Sequence, residues 1–222
     1  MTLHKEGIAT ISFTLMTAVV LVLLSAHYVE SDGLLYLLYA VIGVLSLLVI
    51  NFFRYPKRHY EGASDGVVLS SADGVVVVIE EVMEEEYFHD KRIQVSVFMS
   101  VFNVHANWVP VKGTVKRSLH HNGHFMAAYL PKSSTENERS TVVIETPCGH
   151  EVLVRQVAGA LARRIITYTR KDQKVELNHP LGFIKFGSRI DIYLPLESNI
   201  MVNIDQRVKG DITQIAQLPS KS

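Results

Sequence analysis

Ser188, His105 and Asp73 are of the types that carry out nucleophilic chemistry. Ser188 follows Gly187 in Gly182-Phe-Ile-Lys-Phe-Gly-Ser-Arg-Ile-Asp-Ile-Tyr-Leu-Pro195. A serine hydroxyl beside a glycine carbonyl can attack it, move the chain from nitrogen to oxygen and break the backbone. The residue left at the new N-terminus can lose ammonia and become a ketone, an electrophile made from the chain alone. The attack needs a base, and a histidine oriented by a carboxylate is the general means of activating a weak alcohol nucleophile. His105 lies in Phe98-Met-Ser-Val-Phe-Asn-Val-His-Ala-Asn-Trp108, where Asn103 and Asn107 are set among Val101, Phe102, Val104 and Trp108. That mixture suggests a shaped site. Asp73 stands in Ser71-Ala-Asp-Gly74. Each residue also has a plainer reading: a strand kink at Gly187-Ser188, a self-bonded turn at Asp73, and a satisfied core histidine at His105.

Other polar groups offer less. His120, His121 and His124 flank an Asn122-Gly123 turn, without the helical i,i+4 pairing or the cysteines of familiar zinc sites. His120 and His124 are four apart but straddle a turn rather than share a helix face, so the group reads as an exposed hairpin and no metal is expected. The run Glu84-Glu-Glu86 reads as a solvated loop face, because like charges repel and no calcium-loop pattern surrounds it. Arg163 and Arg164 could hold a phosphate through their guanidinium forks, or form the solvated face of a short helix. Cys148 is the lone cysteine, which excludes an intrachain disulfide and fits a reducing compartment. Formal net charge is zero, so nothing calls for nucleic acid.

The elements that must position these groups divide into two kinds. Residues 1–53 are expected to form a transmembrane helical hairpin and residues 54–222 a β-rich domain. Ile8 to Ala26 and Leu34 to Phe53 contain no charged residue, and each is long enough as a helix to span roughly 30 Å of hydrocarbon. Lys5 precedes the first segment, and Arg54, Lys57 and Arg58 follow the second. The connector carries only Glu30 and Asp32. The positive-inside rule places both ends, and the domain, on the cytoplasmic side of the inner membrane. From Val67 onward, β-branched runs alternate with turn residues: 75–82, 93–99, 111–115, 141–145, 151–157 and 190–194. The pattern predicts an α+β fold, predominantly β, of sandwich or barrel type. A helix is expected over about 158–167, a loop over 132–140 and a loose tail over 214–222.

Taken together, Ser71-Ala-Asp-Gly74, Phe98-Met-Ser100 with Phe102-Asn-Val-His105, Asn137-Glu-Arg139, Gln156-Val-Ala-Gly159 with Arg163-Arg-Ile165, and Gly182 to Ser188 resemble the short form of the phosphatidylserine decarboxylase family. The likeness runs from about Arg54 to Leu196. It implies a proenzyme that cuts itself between Gly187 and Ser188 into a β chain (1–187) and an α chain (188–222). Ser188 would become a covalent pyruvoyl group, with His105 and Asp73 assisting. The implied partners are a phospholipid and its membrane, and homo-oligomerisation is left open. The resemblance implies conversion of phosphatidylserine to phosphatidylethanolamine and CO2, with the pyruvoyl group as electron sink and His105 as proton donor. Two other readings compete. One is a non-enzymatic, membrane-tethered lipoyl-like or adaptor module, which would keep an intact chain. The other is a serine hydrolase, but no Gly-x-Ser-x-Gly elbow surrounds Ser188.

Overall fold

A computed structural model describes residues 2–62, 65–123, 137–159, 164–185 and 188–220. The chain divides into two units, 1–57 and 58–222.

In the first unit, β1 (Thr2–Leu3) leads into helix α1 (Ile8–Tyr28), and α2 (Asp32–Phe52) leads out to β2 (Arg54–Tyr55). Both helices are long and apolar enough to cross a membrane and are scarcely buried. Their apolar residues lie all round the helix rather than along one stripe, as a lipid-facing helix requires. The three-residue link Val29 to Ser31 forces them into a hairpin. Antiparallel pairing of Thr2 with Tyr55 and Leu3 with Arg54 brings the two ends of the hairpin together. The His4 N–H donates to the Phe53 carbonyl at 2.8 Å.

The second unit is mostly β. Its strands are β3 (Val67–Leu69), β4 (Gly74–Glu84), β5 (Asp90–Met99), β6 (Ala106–Trp108), β7 (Gly113–His121), β8 (Arg139–Glu145), β9 (Glu151–Ala158), β10 (Ile165–Thr167), β11 (Lys174–Val175), β12 (Pro180–Ile184), β13 (Ser188–Leu194), β14 (Asn199–Ile200), β15 (Arg207–Val208) and β16 (Gln214–Gln217). Eight strands form one sheet in the order β11-β7-β8-β9-β13-β5-β4-β15, with two three-stranded sheets, β10-β12-β6 and β14-β16-β3. One apolar core draws on all three, from Val97, Val154 and Ile190 of the large sheet to Leu181, Ile184 and Ala216 of the small ones.

Successive side chains on a strand point to opposite faces, and the large sheet uses both. Val95, Val97, Val152, Val154, Ile190 and Ile192 face the apolar core. Gln94, Ser96, Arg155, Arg189, Asp191 and Tyr193 alternate with them on the other face and are equally buried.

Several expectations are corrected. No helix spans 158–167: Ala158 ends β9 and Ile165–Thr167 is a strand, while residues 160–163 lie outside the described residues. Strand β10 hydrogen-bonds to β12, so tertiary pairing overrides the local periodicity. The tail is ordered as β16, with Ile215, Ala216 and Leu218 buried. The expected loop 132–140 lies outside the described residues up to 136; Asn137, Glu138 and Ser140 are buried, and the segment enters β8 at Arg139. Glu84 is not solvated. It is 2% exposed, and its carboxylate accepts from the backbone N–H groups of Glu86, Tyr87 and Phe88.

Candidate active site

Ser188 opens β13, the strand held between β9 and β5, opposite Ala158 on one side and Met99 on the other. It is fully buried and shares a face with Ile190 and Ile192, so it stands at the end of the apolar face. The hydroxyl lies 3.4 Å from the Met99 thioether. A thioether is a weak acceptor, so this contact orients the hydroxyl without committing its proton to a base. Gly187, the other half of the expected cleavage step, lies outside the described residues.

His105 immediately precedes β6 and is fully buried. Its Nδ1 is 3.0 Å from the Asn103 carbonyl. A carbonyl can only accept, so Nδ1 carries a hydrogen, and in the neutral form of the ring Nε2 is the basic nitrogen. Asn103 in turn is fixed by Ser100, whose backbone N–H and hydroxyl both donate to Asn103 Oδ1, at 2.9 and 2.8 Å. Strand β12 runs antiparallel to β6 and ends at Ile184, whose N–H donates to the His105 carbonyl at 3.3 Å. The chain that leads to Ser188 therefore leaves from beside His105.

The expected link from Asp73 to His105 is not formed. Arg58 grips both carboxylate oxygens of Asp73, at 2.8 Å on Oδ2, and the Gly210 N–H donates to Oδ1 at 2.9 Å. The Arg58 guanidinium also lies 5.1 Å from the centre of the Trp108 ring, and Trp108 is the last residue of β6. Asp73 is thus the centre of a clasp behind the strand that begins next to His105. Its pairing with Arg58, fifteen residues earlier in the chain, carries no local sequence signature.

Sequence reading passed over a buried polar relay beside Ser188. Asn107 Nδ2 lies 3.8 Å from Met99 Sδ, and Asn107 Oδ1 accepts from Gln156 Nε2 at 2.7 Å. Gln156 Oε1 accepts from the hydroxyls of Ser140 at 2.7 Å and Thr167 at 2.9 Å. Gly182 makes room for this relay: a Cβ there would stand 2.8 Å from Gln156 Nε2 and 2.1 Å from the Ile166 carbonyl oxygen. The alternation of apolar and polar residues could have placed Gln156 on the core face of β9, where a lone amide demands partners.

Of the phosphate candidates, Arg163 lies outside the described residues. Arg164 is exposed, and its carbonyl accepts from the Lys185 N–H at 3.2 Å. Lys185 is a cation the sequence reading did not single out. Asn137 and Glu138 tie the surroundings together. Asn137 Nδ2 donates to the Ala158 carbonyl at 2.6 Å, and the Ile165 N–H donates to Glu138 at 3.1 Å. His121 pairs with Glu86 at 3.0 Å and His120 with Glu138 at 3.5 Å, while His124 lies outside the described residues. No cluster of metal-ligating side chains occurs among the described residues.

The opposite face of the sheet is ionic. Arg155 donates to Glu84 at 2.8 Å, Glu86 at 3.0 Å and the Tyr193 hydroxyl at 2.7 Å. Arg189 pairs with Asp191 at 2.8 Å, and the Ser96 hydroxyl donates to Asp191 at 2.6 Å. Burial alone would push Glu84 and Glu86 up. Backbone amides for Glu84, and Arg155 with Thr141 for Glu86, outweigh it and hold both carboxyls below the usual range.

The fold and site define a class: a β-rich domain in which a buried serine opens a central strand and a buried histidine lies beside the strand before it. The comparisons give the particular family. The phosphatidylserine decarboxylase family model matches residues 45–215. The chain is 52% identical over 219 residues to the phosphatidylserine decarboxylase proenzyme of Parabacteroides distasonis, covering 98% of this chain and 99% of the relative. It is 51% identical over 222 residues to that of Porphyromonas gingivalis, covering 99% and 100%, and 45% identical over 221 residues to that of Cytophaga hutchinsonii. The chain belongs to the phosphatidylserine decarboxylase family, pyruvoyl-dependent carboxy-lyases made as proenzymes.

Proposed function

We propose that this protein converts phosphatidylserine to phosphatidylethanolamine and CO2 after cutting itself before Ser188. The observation that carries the reading is the buried Ser188 hydroxyl, held against a thioether at the head of β13. In the first step the Ser188 proton passes to a base and Oγ bonds to the Gly187 carbonyl carbon. The peptide C–N bond breaks and its nitrogen takes up a proton, leaving an ester. Loss of the Cα proton of residue 188 then expels the Gly187 carboxylate. One water replaces the nitrogen, which leaves as ammonia, and residue 188 becomes pyruvoyl.

His105 is the base of the first step, since the Asn103 carbonyl holds Nδ1–H and leaves Nε2 basic. Asp73 is a positioning residue, acting through the Arg58 and Trp108 clasp on the strand that starts beside His105. Once formed, the pyruvoyl group supplies a carbonyl that takes up the electron pair left by departing CO2. His105 returns a proton to the carbon that lost CO2. Arg164 and Lys185, with Arg163, seat the headgroup phosphate.

The α1–α2 hairpin keeps the domain at the surface where the lipid headgroup is presented, which raises its effective concentration. The basic residues flanking the hairpin support a cytoplasmic position for the domain at the inner membrane. Protease added to intact spheroplasts should leave the domain whole, and digestion there would reverse that orientation.

The deciding experiment is intact-mass analysis under denaturing conditions, with CO2 release from phosphatidylserine vesicles. A fragment 188–222 with a blocked N-terminus is expected, and Ser188→Ala should remain whole and inactive while still inserting in the membrane. A Ser188→Ala chain that still decarboxylates would overturn the mechanism.

A further inference from the structure

We propose that Asn107 is a positioning residue for self-cleavage. It acts on the Ser188 hydroxyl through Met99, and Gln156 sets its orientation. This rests on Ser188 being the nucleophile of the proposed reaction.

The polarity of the relay follows from the sulfur. Met99 Sδ carries no hydrogen, so the Asn107 atom 3.8 Å from it is the NH2 group. That turns Asn107 Oδ1 toward Gln156, which must present its own NH2 at 2.7 Å. Gln156 Oε1 is then left for the hydroxyls of Ser140 and Thr167, and Ser140 lies directly opposite Gln156 on the neighbouring strand. Asn107, Gln156, Ser140 and Ser188 are each fully buried, so no solvent competes for these bonds. A flipped amide at either position would set an oxygen against the sulfur or leave a buried donor without its acceptor, a penalty that locks one arrangement.

The sulfur is the meeting point. Ser188 Oγ reaches it at 3.4 Å from β13, and Asn107 Nδ2 reaches it from β6. Methionine has three rotatable side-chain bonds and adapts readily to its surroundings, so a bare Met99 would be a loose seat. The Asn107 amide holds the sulfur in one place, and the sulfur fixes the position of Ser188 Oγ until its proton passes to His105. Small errors in the placement of a reacting atom are costly in rate. The hydroxyl is consumed when Ser188 becomes pyruvoyl, so the relay serves maturation and has no such task in turnover.

The test is a double-mutant cycle on the full-length protein in detergent, following appearance of the 188–222 fragment with time. Met99→Leu and Asn107→Leu should each slow cleavage about tenfold. The double variant should be no slower than the slower single variant, because one seat is being removed twice. CO2 release per pyruvoyl group formed, counted by amine labelling, should stay within about twofold of the unsubstituted protein, an effect below the range of a lost hydrogen bond. Met99→Leu conserves volume, so it keeps the test open if Asn107→Leu fails to fold. Cleavage by Met99→Leu at the parental rate overturns the proposal. So do multiplied effects in the double variant, or turnover per pyruvoyl that falls in step with cleavage, which would mark a general packing role. Continued cleavage of Ser188→Ala would instead refute the underlying reading of the cut site.

Discussion

The two faces of the central strands of the eight-stranded sheet are both buried and chemically opposite. On one, Val97, Val154, Ile190 and Ile192 build the core, and the neutral groups Ser188, Gln156 and Asn107 gather at its end. On the other, Arg155, Glu84, Glu86, Arg189 and Asp191 neutralise one another. The difference teaches where this chemistry can be housed. A hydroxyl and a neutral imidazole tolerate burial and remain reactive, whereas buried charges hold their ionised forms only through fixed partners. Arg189, next to the reactive serine in sequence, points away from it because neighbouring strand residues face opposite sides.

The comparison breaks most sharply at Arg155. Arg155→Met leaves Glu84 and Glu86 buried without their shared cation and should cost about 3–5 kcal/mol in denaturant unfolding. Adding Glu84→Gln and Glu86→Gln should restore part of that loss. If the single substitution is silent, the face is not held by charge.

On the apolar face, Ile192→Ala should cost about 2–5 kcal/mol through lost burial and the cavity left behind. It should do so at every pH, as measured by the same unfolding curves. Acid separates the faces. The native carboxyls of Glu84 and Glu86 lie below their ordinary value of 4.5, so their contribution is complete above about that pH. It is lost as pH falls through the lower native values, and the deficit of Arg155→Met should shrink over the same range while that of Ile192→Ala persists.

Asp211 sharpens the contrast with the smallest effect. Burial pushes its carboxyl up to about 6 from 3.8, against weaker pulls from the Asn178 amide, Arg58 and His59. A raised native value means stability is lost as pH rises from 3.8 through 6. Asp211→Asn should therefore stabilise the protein by roughly 1–3 kcal/mol above that range and have no effect below it. Asparagine also tolerates the positive φ of 64° at this position. An unchanged unfolding midpoint at pH 7.5 would show that this carboxylate is compensated like those on the ionic face.

Local pattern made much of this protein legible in its sequence. Uncharged runs of membrane-spanning length mark the helices, and alternation of β-branched residues marks six of the strands, because length and period are properties of neighbouring residues. The residue types and motifs also singled out Ser188 and His105, both of which lie buried in the fold. Only the tertiary structure decided what each polar group meets. Asp73 found Arg58 rather than His105, Glu84 became a buried anchor rather than a solvated charge, and residues 165–167 became a strand because β12 was there to pair with them. Asn107, Gln156 and Met99 come together from strands distant in sequence. Their meeting depends on strand order and register, and those are set by which faces can be buried together across the whole domain.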